Sequence, residues 1–244
     1  MNFYAVIIGT EILNNRREDK HFVFLKNELA QYGHELFASF IIKDDEALIY
    51  NTYKMIKQDP QAVLFSFGGI GSTPDDLTRE ISAKVFTSSP LQINEQFKQD
   101  ILQRFKEKAY PHRINMANIP VGSKLIFNPV NNMSAYSLED KYFFVPGFPS
   151  MAHPMLQSVI KQHFSISQKK YRYTLIAKTS EDTLIDLMKT LPKEVELSSL
   201  PMFNNNAAEV ELSLSGIDER LVKEYMDIFK NELEEKKISY LVVK

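Results

Sequence analysis

Continuous apolar runs alternate with apolar residues spaced three and four apart along the first two thirds of this chain. Phe3 to Ile8 and Ala62 to Phe65 are unbroken runs, as expected of strands buried on both faces. Between them, Phe22, Leu25, Leu29 and Tyr32 recur at helical spacing, and Gly33 is a natural stop. Leu36 to Ile42 predicts a second strand, ending at Asp44-Asp45, and Leu48, Thr52, Met55 and Ile56 predict a second helix that stops near Pro60. After Phe65 comes a glycine turn, Gly68-Gly69-Ile70-Gly71. A helix is expected next, with Thr73 as N-cap, Pro74 in its first position, Asp75 and Asp76 in its first turn, and Leu77 and Ile81 on its buried face. Ile93, Phe97, Ile101 and Phe105 predict a further helix. Lys124 to Phe127 and Tyr142 to Val145 predict short strands. The turn Pro146-Gly147-Phe148-Pro149 leads into a helix carrying Met155, Leu156, Val159 and Ile160. Strands alternating with helices imply a mostly parallel sheet covered on both faces, a three-layer α/β/α domain.

The rhythm changes after Ser165–Lys170, a polar stretch without apolar period, and the domain boundary is expected there. Residues 1–165 form one expected domain and residues 171–244 a second, small α+β domain. Tyr171, Tyr173, Leu175 and Ala177 alternate with polar residues. A helical stripe follows over Leu184, Leu187, Met188 and Leu191, then strands near Val195–Leu197 and Val210–Leu214. A long helix carries Leu221, Tyr225, Ile228, Phe229 and Leu233, and Ile238 to Val243 closes as a strand. The order strand, helix, strand, strand, helix, strand is the split-βαβ, ferredoxin-like pattern.

Composition narrows the function classes. With 244 residues, 44% of them hydrophobic, the chain is long enough for a real core. A net charge of −2 announces no nucleic-acid partner. Cysteine is absent, which excludes a disulfide framework, a thiolate nucleophile and cysteine-ligated metal. The opening MNFYAVIIGTEIL lacks a basic leader and a cleavage site, and no uncharged apolar run reaches bilayer length. A cytoplasmic protein with no membrane partner is the expectation. Of eight glycines, three sit at Gly68, Gly69 and Gly71, so the turn needs them.

Ligands of open parallel sheets bind at the carboxyl ends of the strands. The residues there are Gly9, Thr10 and Glu11, then Asp44 and Asp45, then Gly68 to Asp76. A strand, a glycine turn and a helix start suit a phosphate. The carboxylates suit a divalent metal, or a ligand that brings hydroxyls and amides as well as phosphate. Capping of the following helices is the structural alternative for Asp44, Asp45, Asp75 and Asp76. The turn is neither a P-loop, since no Lys-Ser or Lys-Thr follows, nor a complete G-x-G-x-x-G. Ser66 lacks a G-x-S-x-G context. The histidines show no metal-ligand spacing, although His21 begins a helix where it could face the rim.

The stretch Phe67 to Glu80, FGGIGSTPDDLTRE, resembles the T-G-G-L-G-P-T-x-D-D-x-T-R-E signature of the MoaB/Mog-like molybdopterin-binding domain. The nearest subgroup is the amino-terminal region of CinA-like, competence/damage-inducible proteins. Gly9-Thr10-Glu11 sits at the family's Gly-Asp-Glu, Asp44 in its Gly-Asp turn, and Pro146-Gly147-Phe148-Pro149 at its Pro-Gly-Val-Pro turn. The resemblance implies a small KH-like domain over residues 171–244, and a homodimer is the expected assembly. It implies a site for molybdopterin or a phosphate-bearing nucleotide, and for some members metal-dependent ADP-ribose pyrophosphatase activity. A deamidase domain follows in that family, and no deamidation is expected of these 244 residues. Carried over residue by residue, Asp75, Asp76 and Asp44 would be catalytic. Gly9, Glu11, Gly68, Gly69, Gly71, Ser72, Thr73, Pro146 and Gly147 would bind ligand. Asp76, Asp44 and Glu11 would hold magnesium, manganese or cobalt. The alternative is a non-catalytic pterin- or nucleotide-binding protein. The chain departs from the pattern at Thr10, at Ser72, at Asn131 to Ala135 (NNMSA, where a second glycine cradle is usual) and at Met151, where Glu is usual.

Overall fold

A computed structural model describes residues 1–165, 170–204 and 207–243. The chain divides into two compact units, Met1–Ser167 and Gln168–Lys244. Of the linker expected over Ser165–Lys170, residues 166–169 lie outside the described residues.

The first unit runs β1 (Asn2–Ile8), α1 (Thr10–Leu13), α2 (His21–Gln31), β2 (Leu36–Ile42), α3 (Glu46–Lys57), β3 (Ala62–Phe67), α4 (Thr78–Ser82), β4 (Leu91–Ile93) and α5 (Glu95–Phe105). It continues with β5 (Asn118–Pro120), β6 (Lys124–Ile126), β7 (Ala135–Leu138), β8 (Tyr142–Val145) and α6 (Pro149–His163). Six strands form one sheet in the order β2-β1-β3-β8-β7-β6. The pairs β2/β1, β1/β3 and β3/β8 are parallel, while β8/β7 and β7/β6 are antiparallel. Successive residues of a strand point to opposite faces. Phe3, Ala5, Ile7, Phe65 and Phe67 therefore enter a core with Leu25 and Leu29 of α2 and Met155 and Leu156 of α6. Tyr4, Val6, Ile8 and Leu64 enter another with Ile49, Tyr53 and Ile56 of α3 and with Ile81. This is the expected three-layer α/β/α arrangement with a mostly parallel sheet.

Several elements differ from the sequence expectation. The buried face of α3 is Ile49, Thr52, Tyr53 and Ile56, whereas Leu48 and Met55 are exposed. The expected set had mixed two faces of one helix. Asp45 does cap α3, its carboxylate accepting from the Leu48 N–H at 2.8 Å. Ile93 belongs to β4, and α5 starts later, capped by Asn94. Strand β7 was not anticipated. It joins β8 through Glu139 and Asp140, both at positive φ, with the Lys141 N–H closing the turn on the Leu138 carbonyl. That is the primed geometry matching the strand twist of a hairpin, built here without glycine.

The helix after the glycine turn also starts later than expected, at Thr78 rather than beyond a cap at Thr73. The Asp76 carboxylate accepts from both the Thr73 N–H and the Thr73 hydroxyl, at 2.7 and 2.6 Å. Residues 73–76 are thereby held as a turn, since aspartate offers the backbone an alternative to the helix.

The second unit contains β9 (Tyr171–Ala177), α7 (Ile185–Met188), β10 (Glu196–Asn204), β11 (Ala207–Gly216), α8 (Glu219–Glu235) and β12 (Tyr240–Val243). Its sheet order is β10-β11-β9-β12, antiparallel throughout, as the split-βαβ pattern requires. Val222, Met226, Phe229 and Leu233 of α8 cover one face. The helix expected over Leu184–Leu191 is shorter, a single turn ending before Pro192. Among the described residues, no helix is long and apolar enough to cross a membrane.

Candidate functional site

The carboxyl ends of β1, β3 and β8 converge on the glycine turn. The Gly68 N–H donates to the Val145 carbonyl at 2.9 Å. Gly68 has φ +97°, and a Cβ there would sit 2.5 Å from the Ile8 carbonyl oxygen. Gly69 has φ +68°, and its Cβ would meet the Thr78 hydroxyl at 2.4 Å. That hydroxyl donates to the Gly68 carbonyl at 2.9 Å, and the Thr78 N–H bonds the Gly69 carbonyl at 3.0 Å. These two glycines are thus required by the chain's own packing, apart from any ligand.

Beside the turn lies a cavity of about 450 Å³. Gly69 to Thr73 and Asp76 form one wall. Phe97, Phe105, Arg113, Met116 and Met133 also line the cavity, together with Pro146, Gly147, Phe148 and Met151. The volume falls in the range of small-molecule sites, roughly 300–1,000 Å³. A second cavity of about 410 Å³ is lined by Glu11, Arg17, Lys20 and His21, and Gly147 fronts both. A third, of about 300 Å³, shares Ser72, Thr73 and Asp76 and adds Arg79, Asn115 and Asn118.

The fold separates the acidic residues that the sequence placed on one rim. Asp76 faces the glycine cavity and Glu11 the second one. One oxygen of Asp44 accepts from the Thr10 N–H and the Thr10 hydroxyl, both at 2.8 Å. Asp75 is exposed and lines none of the three cavities. Among the described residues, no group of three or more His, Cys, Asp or Glu is placed to hold a metal ion. Glu11, Asp44 and Asp76 therefore do not fit a shared carboxylate metal centre. Of the expected ligand-binding residues, Gly69, Gly71, Ser72, Thr73, Pro146 and Gly147 line the glycine cavity, and Gly68 supports it from beneath. Ser66 is fully buried and shares a 2.6 Å hydrogen bond with Tyr53, so it is no nucleophile.

The departures at NNMSA and Met151 meet in space. The Asn131 amide contacts the Met151 sulfur at 2.9 Å, while its oxygen accepts from the Met133 N–H at 2.9 Å. Side chains close the wall at this point. Arg113 and Met116 carried no sequence signal, because they come from a short irregular segment without period, whereas Phe97 and Phe105 lie on the predicted helix α5. Arg79 is buried, and this lowers its pKa. It donates to the Asn115 carbonyl, and its Nε has no hydrogen-bond partner among the described residues.

Beneath Gly147, a histidine pair supports the rim. His21 is buried, stacked on Phe67 with ring centroids 4.3 Å apart, with its Nε2 3.3 Å from the Gly147 carbonyl. His153 Nε2 lies 3.2 Å from His21 Nδ1. Burial lowers the His21 pKa, against the opposing pull of the Gly147 carbonyl and Asp19. Burial and the neighbouring His21 push His153 from 6.5 down to about 4. A depressed histidine stabilises the fold above its unfolded pKa and loses that contribution as pH falls through its folded one. Stability is expected to fall between pH 6.5 and 4, and urea midpoints of His153→Gln should fall less across that window than those of the wild type.

A mostly parallel α/β sheet with cavities at its carboxyl rim, the one beside the glycine turn lined by both polar and apolar residues, is the architecture of a small-molecule-binding domain. Residues 4–165 match the family model described as "Probable molybdopterin binding domain", and the chain belongs to that family. A CinA-like protein of Sulfurihydrogenibium sp. is 28% identical over 246 residues, covering 98% of this chain and 57% of that protein. A CinA-like protein of Fusobacterium nucleatum is 28% identical over 159 residues, or 64% of this chain and 39% of that one. The chain thus spans 39% and 57% of these two curated relatives. A crystal structure of CinA from Thermoplasma acidophilum, described as of unknown function, superposes with a TM-score of 0.60 at 27% identity. It covers 67% of this chain and 98% of that one.

Proposed function

We propose that the first unit binds a small phosphate-bearing heterocycle, a pterin or a nucleotide, in the glycine cavity. The observation that carries this reading is the 450 Å³ cavity between Gly69–Asp76 and the Met133–Met151 wall. Its polar wall suits hydroxyls and amides, and its methionines and phenylalanines suit a flat ring. Membership of the molybdopterin-binding family supports a pterin-related ligand. Isothermal calorimetry with AMP, ADP-ribose and molybdopterin precursors tests it. At least one should give saturable binding that Gly71→Val abolishes, and silence from all of them would sink the reading.

A second reading is metal-dependent hydrolysis of an ADP-ribose-type pyrophosphate. One observation favours it: Asp76, a residue of the family signature, fronts the cavity. Asp76 is the only expected metal ligand in that lining, so a divalent ion would rest largely on the ligand's own phosphates. Release of AMP from ADP-ribose with magnesium, manganese or cobalt, lost in Asp76→Asn, would select this reading. A homodimer and a cytoplasmic location belong to the same proposal.

A further inference from the structure

A buried guanidinium in the first unit lacks an ion-pair partner among the described residues. Arg79, on α4, is 9% exposed. Burial disfavours its charged form and pulls its pKa down. A guanidinium carries donors on each of its nitrogens. Here Nη1 donates to the Asn115 carbonyl, while Nε and Nη2 form no hydrogen bond among the described residues. A buried charge is costly unless it is paired and hydrogen-bonded.

Arg79 lines the third cavity, of about 300 Å³, which shares Ser72, Thr73 and Asp76 with the glycine cavity. Ser72, Asn115 and Asn118 belong to the same lining, and their side chains form no hydrogen bond among the described residues, so further donors are free there. Two carboxylates also line this cavity, Asp76 and Glu80, and both act on Arg79 by attraction beyond hydrogen-bond contact. Glu80 is exposed, so water screens it. One oxygen of Asp76 already accepts from the Thr73 N–H and hydroxyl. The buried cation with unused donors thus remains uncompensated, and a guanidinium in that state is suited to an oxyanion.

We propose that Arg79 is an oxyanion anchor and, resting on the heterocycle-binding reading for its occupant, that the ligand's phosphate lies in the Arg79 cavity while its ring lies in the glycine cavity. Ser72, Thr73 and Asp76 border both spaces, which brings the two parts of one small ligand within reach of each other. Arg79 then selects phosphorylated over unphosphorylated ligands. Its unpaired charge is a stability cost that the ligand-free protein carries for function.

Thermal melts and calorimetry on wild type, Arg79→Met and Arg79→Lys test this. Inorganic phosphate should raise the melting temperature of wild type above that in sodium chloride of equal ionic strength, and should do nothing specific for Arg79→Met. Without phosphate, Arg79→Met should melt no lower than wild type, since it removes an unpaired buried charge. Wild type is expected to bind AMP at least roughly tenfold more tightly than adenosine, as a charge-assisted contact would give. Arg79→Met should erase that preference with adenosine affinity unchanged, and Arg79→Lys, which keeps the charge and loses the planar fork, should keep part of it. If Arg79→Met melts lower yet keeps both the preference and the phosphate response, Arg79 is structural, the phosphate sits elsewhere, as on the free N–H groups of the glycine turn, and the inference is overturned while the binding reading stands. No phosphate-specific rise in wild type overturns it without any variant. If neither AMP nor adenosine binds, the heterocycle reading falls, and the phosphate melts alone decide whether Arg79 anchors an oxyanion.

Discussion

Gly68→Ala is expected to be the most damaging single substitution in the first unit, lowering stability by about 3 kcal/mol or more. At φ +97° a side chain is strained, and the added methyl would lie 2.5 Å from the Ile8 carbonyl oxygen. That oxygen belongs to the backbone at the end of β1, between β2 and β3, and cannot swing aside. Relief requires β3 to shift from β1, which opens the Gly68–Val145 hydrogen bond and both cores. Urea unfolding should show a lower midpoint, and calorimetry should show lost ligand binding. Retention of wild-type stability would mean that the turn is not packed as described.

Asp76→Ala should have the largest effect on binding at modest cost in stability. The carboxylate accepts from the Thr73 N–H and hydroxyl and also fronts the cavity. Its removal unlocks the 73–76 turn and takes a carboxylate acceptor out of the cavity lining. Charge-assisted hydrogen bonds contribute about 1.5–3 kcal/mol each. A loss of about 3 kcal/mol corresponds to roughly a hundredfold weaker binding. Asp76→Asn keeps an oxygen for Thr73 and should lose less than the alanine variant. Titrations of both variants with AMP provide the comparison. Equal affinities in wild type and Asp76→Ala would remove Asp76 from the site.

Much of the scaffold was legible in the sequence for a simple reason. Strands buried on both faces leave unbroken apolar runs, and β1 and β3 announce themselves that way. Gly33 and Pro60 marked helix ends by their backbone restrictions. Strand β7 escaped notice because Glu139-Asp140 takes positive φ without the usual Asn-Gly. The late start of α4 escaped notice because aspartate serves turns and caps with the same side chain, and only three-dimensional contacts decide between them.

The site was legible on one wall only. The glycine turn and Asp76 are contiguous in sequence, so their partnership could be anticipated. Asp44 shows what sequence leaves out. Thr10, which stands where the resembling family has Asp, donates to the Asp44 carboxylate through both N–H and hydroxyl. A carboxylate that looked available as a metal ligand is thereby engaged in joining the ends of β1 and β2. The rest of the lining comes from residues 97 to 151, brought in by α5 and by irregular turns. Asn131 and Met151 are twenty positions apart, yet touch.

The most direct test of the central claim is a crystal structure of the protein soaked with ADP-ribose and magnesium. Density should fill the cavity lined by Gly69–Asp76, Met133 and Met151. Density confined to the Glu11–His21 cavity, or a glycine cavity holding only water at saturating ligand, would contradict the account.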